Sequence, residues 1–207
     1  MKPVLVTYAT MAGSTADVAE TIAAELRAAG LPVEVAPMAA VGALDGYSAV
    51  VAGGPMIMGW HRQAAGFLRQ HRRDWARLPL AVFVMALSLT ATAERTVAGV
   101  PVFVDEQLPR PATTGGLRWR QRYAQLGRYV RPIVAAAGPA KPRSVGVFGG
   151  RMEYGRLKPW AVLFVMGVIQ APAGDRRNWE AIRAWAAGLP AALGLAVEPA
   201  LREMAVA

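Results

Sequence analysis

The run Tyr47-Ser48-Ala49-Val50-Val51-Ala52 is apolar without alternation and is cut off by Gly53-Gly54-Pro55. A strand with one wetted face alternates apolar and polar residues. A run such as this belongs to a strand covered on both sides, as in a parallel sheet with helices above and below it. Val4 to Tyr8, Leu80 to Leu87 and Val145 to Phe148 repeat the pattern, and Leu31 to Val35 supplies one more short strand. Helical spacing separates them. Val18, Ile22 and Leu26 recur every four residues, and Phe67, Leu68, His71 and Trp75 share one side of a second helix. Trp119, Tyr123, Leu126, Val130 and Val134 form a third stripe, and Trp179, Ile182, Trp185 and Leu189 a fourth. Gly30 stands where a left-handed C-cap belongs, Pro132 is expected to kink or end the third helix, and Pro190 to close the last. Parallel neighbours require crossover connections, so this alternation predicts an α/β chain with a five-stranded, doubly wound parallel sheet.

A length of 207 residues favours a single domain, 1–207. Between Thr92 and Gly116 periodicity is lost while Pro101, Pro109, Pro111, Gly115 and Gly116 accumulate, so about 91–117 reads as a loop insertion. There is no internal repeat. Hydrophobic residues are 54% of the chain and charged residues 18%, which supplies a core and excludes a disordered chain. With no Cys, disulfides, thiolate nucleophiles, iron–sulfur ligation and thiolate zinc are excluded. Only His61 and His71 remain as imidazoles, so no metal site is expected. No residue stands out as a catalytic acid or base, which leaves the chemistry to a cofactor.

In an open parallel sheet, ligands bind beyond the carboxyl ends of the strands. The loop after the first strand reads Thr10-Met11-Ala12-Gly13-Ser14-Thr15. Three hydroxyls, a glycine for the turn and the amides of a helix start suit a phosphate monoester. There is no loop lysine and no Gly-x-Gly-x-x-Gly run, which disfavours nucleoside triphosphates and dinucleotides. An ordinary helix cap, with Ser14 followed by Asp17, is the plain alternative.

The stretch Val6 to Thr15 resembles the flavodoxin signature, an aromatic ending the first strand followed by a Ser/Thr-x-x-Gly-x-Thr loop that wraps the phosphate of FMN. Val50 to His61, Val147 to Arg156 and the helix start Asn178-Trp179-Glu180 are similar to segments of flavodoxin-type, menaquinone-dependent protoporphyrinogen oxidases. The resemblance implies a flavodoxin-like sheet of order 2-1-3-4-5 and FMN as cofactor. It places Thr10, Met11, Ala12, Gly13, Ser14 and Thr15 on the phosphate. It sets Pro55, Met56, Ile57 and Met58 on one side of the isoalloxazine, with Ala86, Leu87, Ser88, Leu89 and Thr90 on the other. The aromatic rings usual in the family are replaced by Ile57 and Met58, with Trp60 slightly beyond as a side chain that swings in. The activity implied is oxidation of a porphyrinogen-like small molecule with a quinone or other acceptor.

The formal charge is +9, and Lys2 and Arg27 are the only basic residues before Arg62. Arg118, Arg120, Arg122, Arg128, Arg131, Lys141, Arg143, Arg151, Arg156 and Lys158 crowd a later region. Such a patch is either a solvated face or a seat for an anionic partner. Nucleic acid is disfavoured, because Trp119, Tyr123 and Tyr129 have helical spacing and are expected to face the core. The N-terminal apolar run is too short for a signal peptide, and Trp160 to Ile169 falls short of the roughly 20 residues that span a bilayer. A cytoplasmic location is expected, with Trp160 to Ile169 either covering the sheet or docking peripherally on the inner face of the membrane. Two further functional classes stay open: a flavodoxin-type electron carrier, and a flavin-free anion-binding module.

Overall fold

Five strands rich in Val, Ala and Leu lie parallel in the order expected, and two more extend the sheet at one edge. The computed structural model describes residues 1–11, 13–56, 59–89, 95–109, 124–152 and 174–196. In chain order the elements are β1 (Val4–Tyr8), α1 (Ser14–Ala28), β2 (Val33–Pro37), β3 (Ala49–Pro55), α2 (Arg62–Gln70) and β4 (Leu80–Ala86). There follow β5 (Thr96–Val97), β6 (Val100–Val104), α3 (Leu126–Ala137), β7 (Ser144–Gly149), β8 (Arg151–Met152), β9 (Gly174–Asp175) and α4 (Trp179–Leu193). The main sheet runs β2-β1-β3-β4-β7-β6-β5, and only β5 is antiparallel to its neighbour.

Alternate residues of the same strand feed two separate cores. Leu80, Val82, Val84 and Ala86 of β4 pack with Phe67 and Leu68 of α2 and with Tyr129, Val130 and Ile133 of α3. Ala81, Phe83 and Met85 of β4 pack on the other side with Val18, Ile22 and Leu26 of α1 and with Ile182, Trp185 and Leu189 of α4. Helices therefore cover both faces. Gly53 of β3 lies opposite Phe83 of β4, and a Cβ there would come 1.9 Å from the Phe83 ring. The ring occupies the space a side chain would need.

Several boundaries differ from the sequence expectation. β2 begins at Val33 because Leu31 belongs to the closure of α1: its N–H donates to Leu26 O at 3.1 Å and that of Gly30 to Arg27 O at 2.9 Å, with Gly30 at φ +84°. That is the double bond of a Schellman cap. The 91–117 stretch is not loop throughout. Thr96–Val97 and Val100–Val104 form a hairpin through Ala98 and Gly99, at φ +54° and +78°, and Val102, Phe103 and Val104 pair in parallel with β7. Pro101 is tolerated because it precedes Val102–Val104, the residues of β6 that pair with β7, and the bond toward the β5 side is donated by Val102 N–H to Arg95 O at 2.8 Å.

Neither interior proline breaks its helix. α3 continues through Pro132 to Ala137, since Pro132 lies on the exposed side while Tyr129, Val130, Ile133 and Val134 hold the buried one. α4 continues through Pro190 to Leu193 and is closed by Gly194 at φ +69°. Trp119 and Tyr123 of the third stripe, and the apolar Trp160 to Ile169, lie outside the described residues. Among the described residues no helix is long and apolar enough to cross a membrane.

Candidate functional site

The carboxyl ends of β1, β3, β4 and β7 open on one edge, and short backbone bonds tie their loops together. Ala9 N–H donates to Gly53 O (2.9 Å), Met56 N–H to Met85 O (2.8 Å) and Gly150 N–H to Ala86 O (2.8 Å). The loop after β1 therefore rests on β3, the one after β3 on β4, and the one after β7 on β4.

The expected side-chain cap of α1 is not formed. Gly13, at φ +87°, is the N-cap residue, and no side chain accepts from the helix start. Ser14 is inside the helix, so the Ser14 and Asp17 capping box is replaced by an open end. The Ser14 and Thr15 amides have no intrahelical acceptor, and the dipole leaves positive charge there. Thr10 Oγ1 accepts from Gly13 N–H at 2.9 Å, which closes the loop and leaves the hydroxyl proton of Thr10 for an incoming anion. Thr15 is buried, Thr10, Gly13 and Ser14 are partly exposed, and Met11 is exposed. Ala12 lies outside the described residues.

After β3 the chain turns back tightly. Met56 and Trp60 form an antiparallel bridge, and His61 N–H donates to Pro55 O at 3.1 Å. Met56 and Trp60 are buried and Pro55 half-buried, while Ile57 and Met58 lie outside the described residues. Trp60 is not a ring free to swing onto a ligand. Its indole packs over Gly54 in the core shared with Ala64 and Phe67, because the bridge to Met56 pulls it inward. Trp60 Nε1 and His61 Nδ1 are both buried without a hydrogen-bond partner. A buried, unsatisfied nitrogen is costly to the folded state. Burial lowers the pKa of His61, so its ring is neutral at pH 7.

At the end of β4 and in the loop after it, Ala86 and Leu89 are buried in the core, which withdraws their side chains from a ligand. Leu87 and Ser88 are partly exposed, and Thr90 lies outside the described residues. Two carbonyls at this bend are held from outside: Tyr129 Oη donates to Ser88 O at 3.2 Å and Arg176 Nη1 to Leu87 O at 3.3 Å. Tyr129 is buried with its pKa pushed up to about 12 by desolvation, so it is a neutral donor.

Sequence reasoning missed the clasp formed by Asp105 and Asp175 to Asn178. Asp105 is fully buried at the end of β6. Its carboxylate accepts from Asn178 Nδ2 (2.9 Å), Gln107 N–H (3.0 Å) and, at 3.5 Å, Gly149 N–H. Asn178 Oδ1 in turn accepts from Ala181 N–H at 3.2 Å and caps α4. Arg177 reaches Asp17 Oδ2 at 2.7 Å through Nη1 and Asp175 Oδ2 at 2.6 Å through Nη2. The Arg177 guanidinium, by hydrogen bonding foremost, holds Asp175 below the usual carboxylate range. The one sequence signal was Asn178 as a helix start; apart from Asp175 beside Arg177, the side-chain partners Asp105 and Asp17 lie 73 and 160 residues from theirs.

The two histidines separate cleanly. His71 packs between Phe67 and Trp75, with Nδ1 3.0 Å from Asp74 Oδ2 and Nε2 unpartnered, as a packing residue with one satisfied nitrogen. The basic region is divided by the fold. Lys141 and Arg143 precede β7, at the edge opposite the candidate site, and Arg151 follows β7 at the site edge. Arg118, Arg120, Arg122, Arg156 and Lys158 lie outside the described residues. No group of His, Cys, Asp and Glu that could hold a metal occurs among the described residues.

The residues present fit FMN at the phosphate end: an uncapped helix start, a glycine at positive φ and a threonine hydroxyl with a free proton. When bound, FMN supplies one- and two-electron redox chemistry.

Among solved structures, the chain is similar to the two-electron reduced flavodoxin of Megasphaera elsdenii, at 11% identity over 89% of this chain and 98% of that one, with a TM-score of 0.49. A flavodoxin of Streptococcus pneumonia TIGR4 is 16% identical over 91% of this chain and 97% of that one, at 0.45. The rubredoxin oxygen:oxidoreductase of Desulfovibrio gigas is 15% identical over 94% of this chain at 0.48, and the chain spans only 36% of its length. At these TM-scores none of them bears on the reading of the site. None of the curated proteins matches the chain by sequence. The family model of the flavodoxin domain, by contrast, matches residues 5–178 and so takes in the phosphate loop and the loops after β3, β4 and β7. On that match, and with the strand order that agrees with it, this chain belongs to the flavodoxin family of FMN-binding α/β domains.

Proposed function

We propose that this flavodoxin-family protein is an FMN-dependent oxidoreductase that oxidises a carboxylate-bearing, porphyrinogen-like molecule and passes the electrons to a quinone. The observation that carries this reading is the charge at the carboxyl edge. Arg151 follows β7, with its Nη1 4.0 Å from Asp17 Oδ2, and Arg176 is held against Leu87 O. Guanidinium groups pair bidentately with carboxylates and would orient propionate side chains. Positive charge near a flavin also favours its reduced, anionic state. The chain binds FMN through Thr10, Gly13, Ser14 and Thr15, and excludes water from the ring through the loops after β3 and β4.

A flavodoxin-type electron carrier is the second reading, favoured by Asp17 and Asp175 on the same edge, both substantially exposed. The first experiment is the visible spectrum of freshly purified protein with identification of any released chromophore. FMN-loaded protein is then assayed with protoporphyrinogen and a quinone. Turnover supports the oxidoreductase. No turnover, together with two well-separated one-electron potentials of which the second is very low, replaces it with the carrier. Contact with the inner face of the membrane belongs to the same proposal and is tested by co-sedimentation with acidic vesicles.

A further inference from the structure

Asp17 stands in the first turn of α1, about 4.5 Å along the helix axis from Ser14, whose amide faces the phosphate seat. An uncompensated carboxylate at that point would oppose a phosphate carrying up to two negative charges. The fold places two guanidinium groups on it. Arg177 Nη1 lies 2.7 Å from Asp17 Oδ2 and Arg151 Nη1 lies 4.0 Å from the same oxygen. The closer one is built in rather than draped over the surface. The Arg177 side chain is only 5% exposed, its Nε and Nη2 hold Asp175 at 2.9 and 2.6 Å, and its Cζ sits 4.5 Å above the Trp179 ring. Asp17 itself is half exposed, so its charge, once unpaired, would act on a nearby phosphate in a salt-dependent way.

We propose that Arg177 is a positioning residue for the cofactor: by neutralising Asp17 it sets the affinity of the α1 end for the phosphate of FMN, and not the affinity of the loops for the flavin ring. The inference rests on FMN as the cofactor, and comparison of FMN with riboflavin, which carries the ring without the phosphate, separates the two ideas.

The experiment measures dissociation constants of FMN and riboflavin by flavin fluorescence for the wild type, Arg177→Met, Asp17→Asn and the double variant, at low and high salt, after removal of bound flavin. Arg177→Met is expected to weaken FMN by about tenfold at low salt, and less at high salt, as befits one exposed charge near the phosphate. Asp17→Asn tightens FMN several-fold, and the double variant returns to within about threefold of the wild type. Riboflavin affinity stays within about twofold throughout. A role in packing alone predicts that Arg177→Met weakens both ligands equally and that Asp17→Asn brings no rescue, and that result overturns the proposal. If Arg177→Met does not fold, Asp17→Asn decides: no gain for FMN, or an equal gain for riboflavin, rejects it. Wild-type protein that binds riboflavin but gains nothing from the phosphate also rejects it, whereas wild-type protein that binds neither ligand defeats the cofactor reading and this inference together.

Discussion

At single residues, the site is shaped as much by missing atoms as by present ones. A Cβ on Gly149 would lie 1.9 Å from the backbone carbonyl oxygen of Arg176, and backbone of the clasp has nowhere to move. Gly149→Ala is therefore expected to cost about 3 kcal/mol, the upper range for overpacking, and to weaken FMN along with it. Urea denaturation checks this, and a loss under 1 kcal/mol would mean that the clasp is looser than its bonds imply. Tyr129 gives a pH signature. Its folded pKa of about 12 lies above the ordinary 10.0, so the folded state binds the phenol proton more tightly than the unfolded chain does. Stability from this group is intact below pH 10 and declines as pH rises through 12, by roughly 2–3 kcal/mol at the end of that range. Tyr47 is raised in the same sense by burial and by Glu34, so the difference between wild type and Tyr129→Phe isolates the effect. At pH 7, Tyr129→Phe loses the bond to Ser88 O and about 1 kcal/mol; equal alkaline slopes in the two proteins would refute the assignment.

Among elements, α3 shows how packing overrides a local breaker. Pro132 removes the donor that would bond Arg128 O, yet the helix runs from Leu126 to Ala137 because its buried stripe is anchored on the sheet. Its far end is held by Arg72, which donates to Ala136 O at 2.9 Å and Ala135 O at 2.6 Å. Because the proline faces solvent, Pro132→Ala is expected to stabilise the protein by about 1–3 kcal/mol, read as a rise in the urea midpoint at unchanged slope. A fall would show that the bend itself is needed for the fit of Tyr129 against the loop after β4. The hairpin of β5 and β6 makes a related point. Its Ala98–Gly99 turn needs two positive φ angles, and alanine gives no sign in sequence of adopting one.

For the whole molecule, the candidate site draws on loops from four strands and on a clasp from the start of α4, so ligand binding there is expected to be linked to folding. Free FMN at a hundredfold excess over its dissociation constant is expected to stabilise the protein by about 2.7 kcal/mol. Riboflavin at the same nominal concentration does less, because it leaves the α1 end empty. Thermal unfolding with and without each ligand measures the difference; equal shifts would remove the phosphate loop from the binding site.

The five parallel strands were legible because they rest on local facts, doubly buried runs separated by helical stripes, whereas their order was expected from the resemblance to the flavodoxin family and not from any segment by itself. Periodicity records which faces are covered, and a covered face is a property each segment carries by itself. Which residues meet was not so recorded. That Trp60 turns into the core, that Lys141 and Arg143 lie at the edge opposite the candidate site while Arg151 stays beside it, and that Asp105, Arg176 and Arg177 meet partners 73, 89 and 160 residues away were decided by the packed sheet alone. Charge and hydrogen bonding act through space, and the chain's order along itself does not contain those distances until the strands have paired.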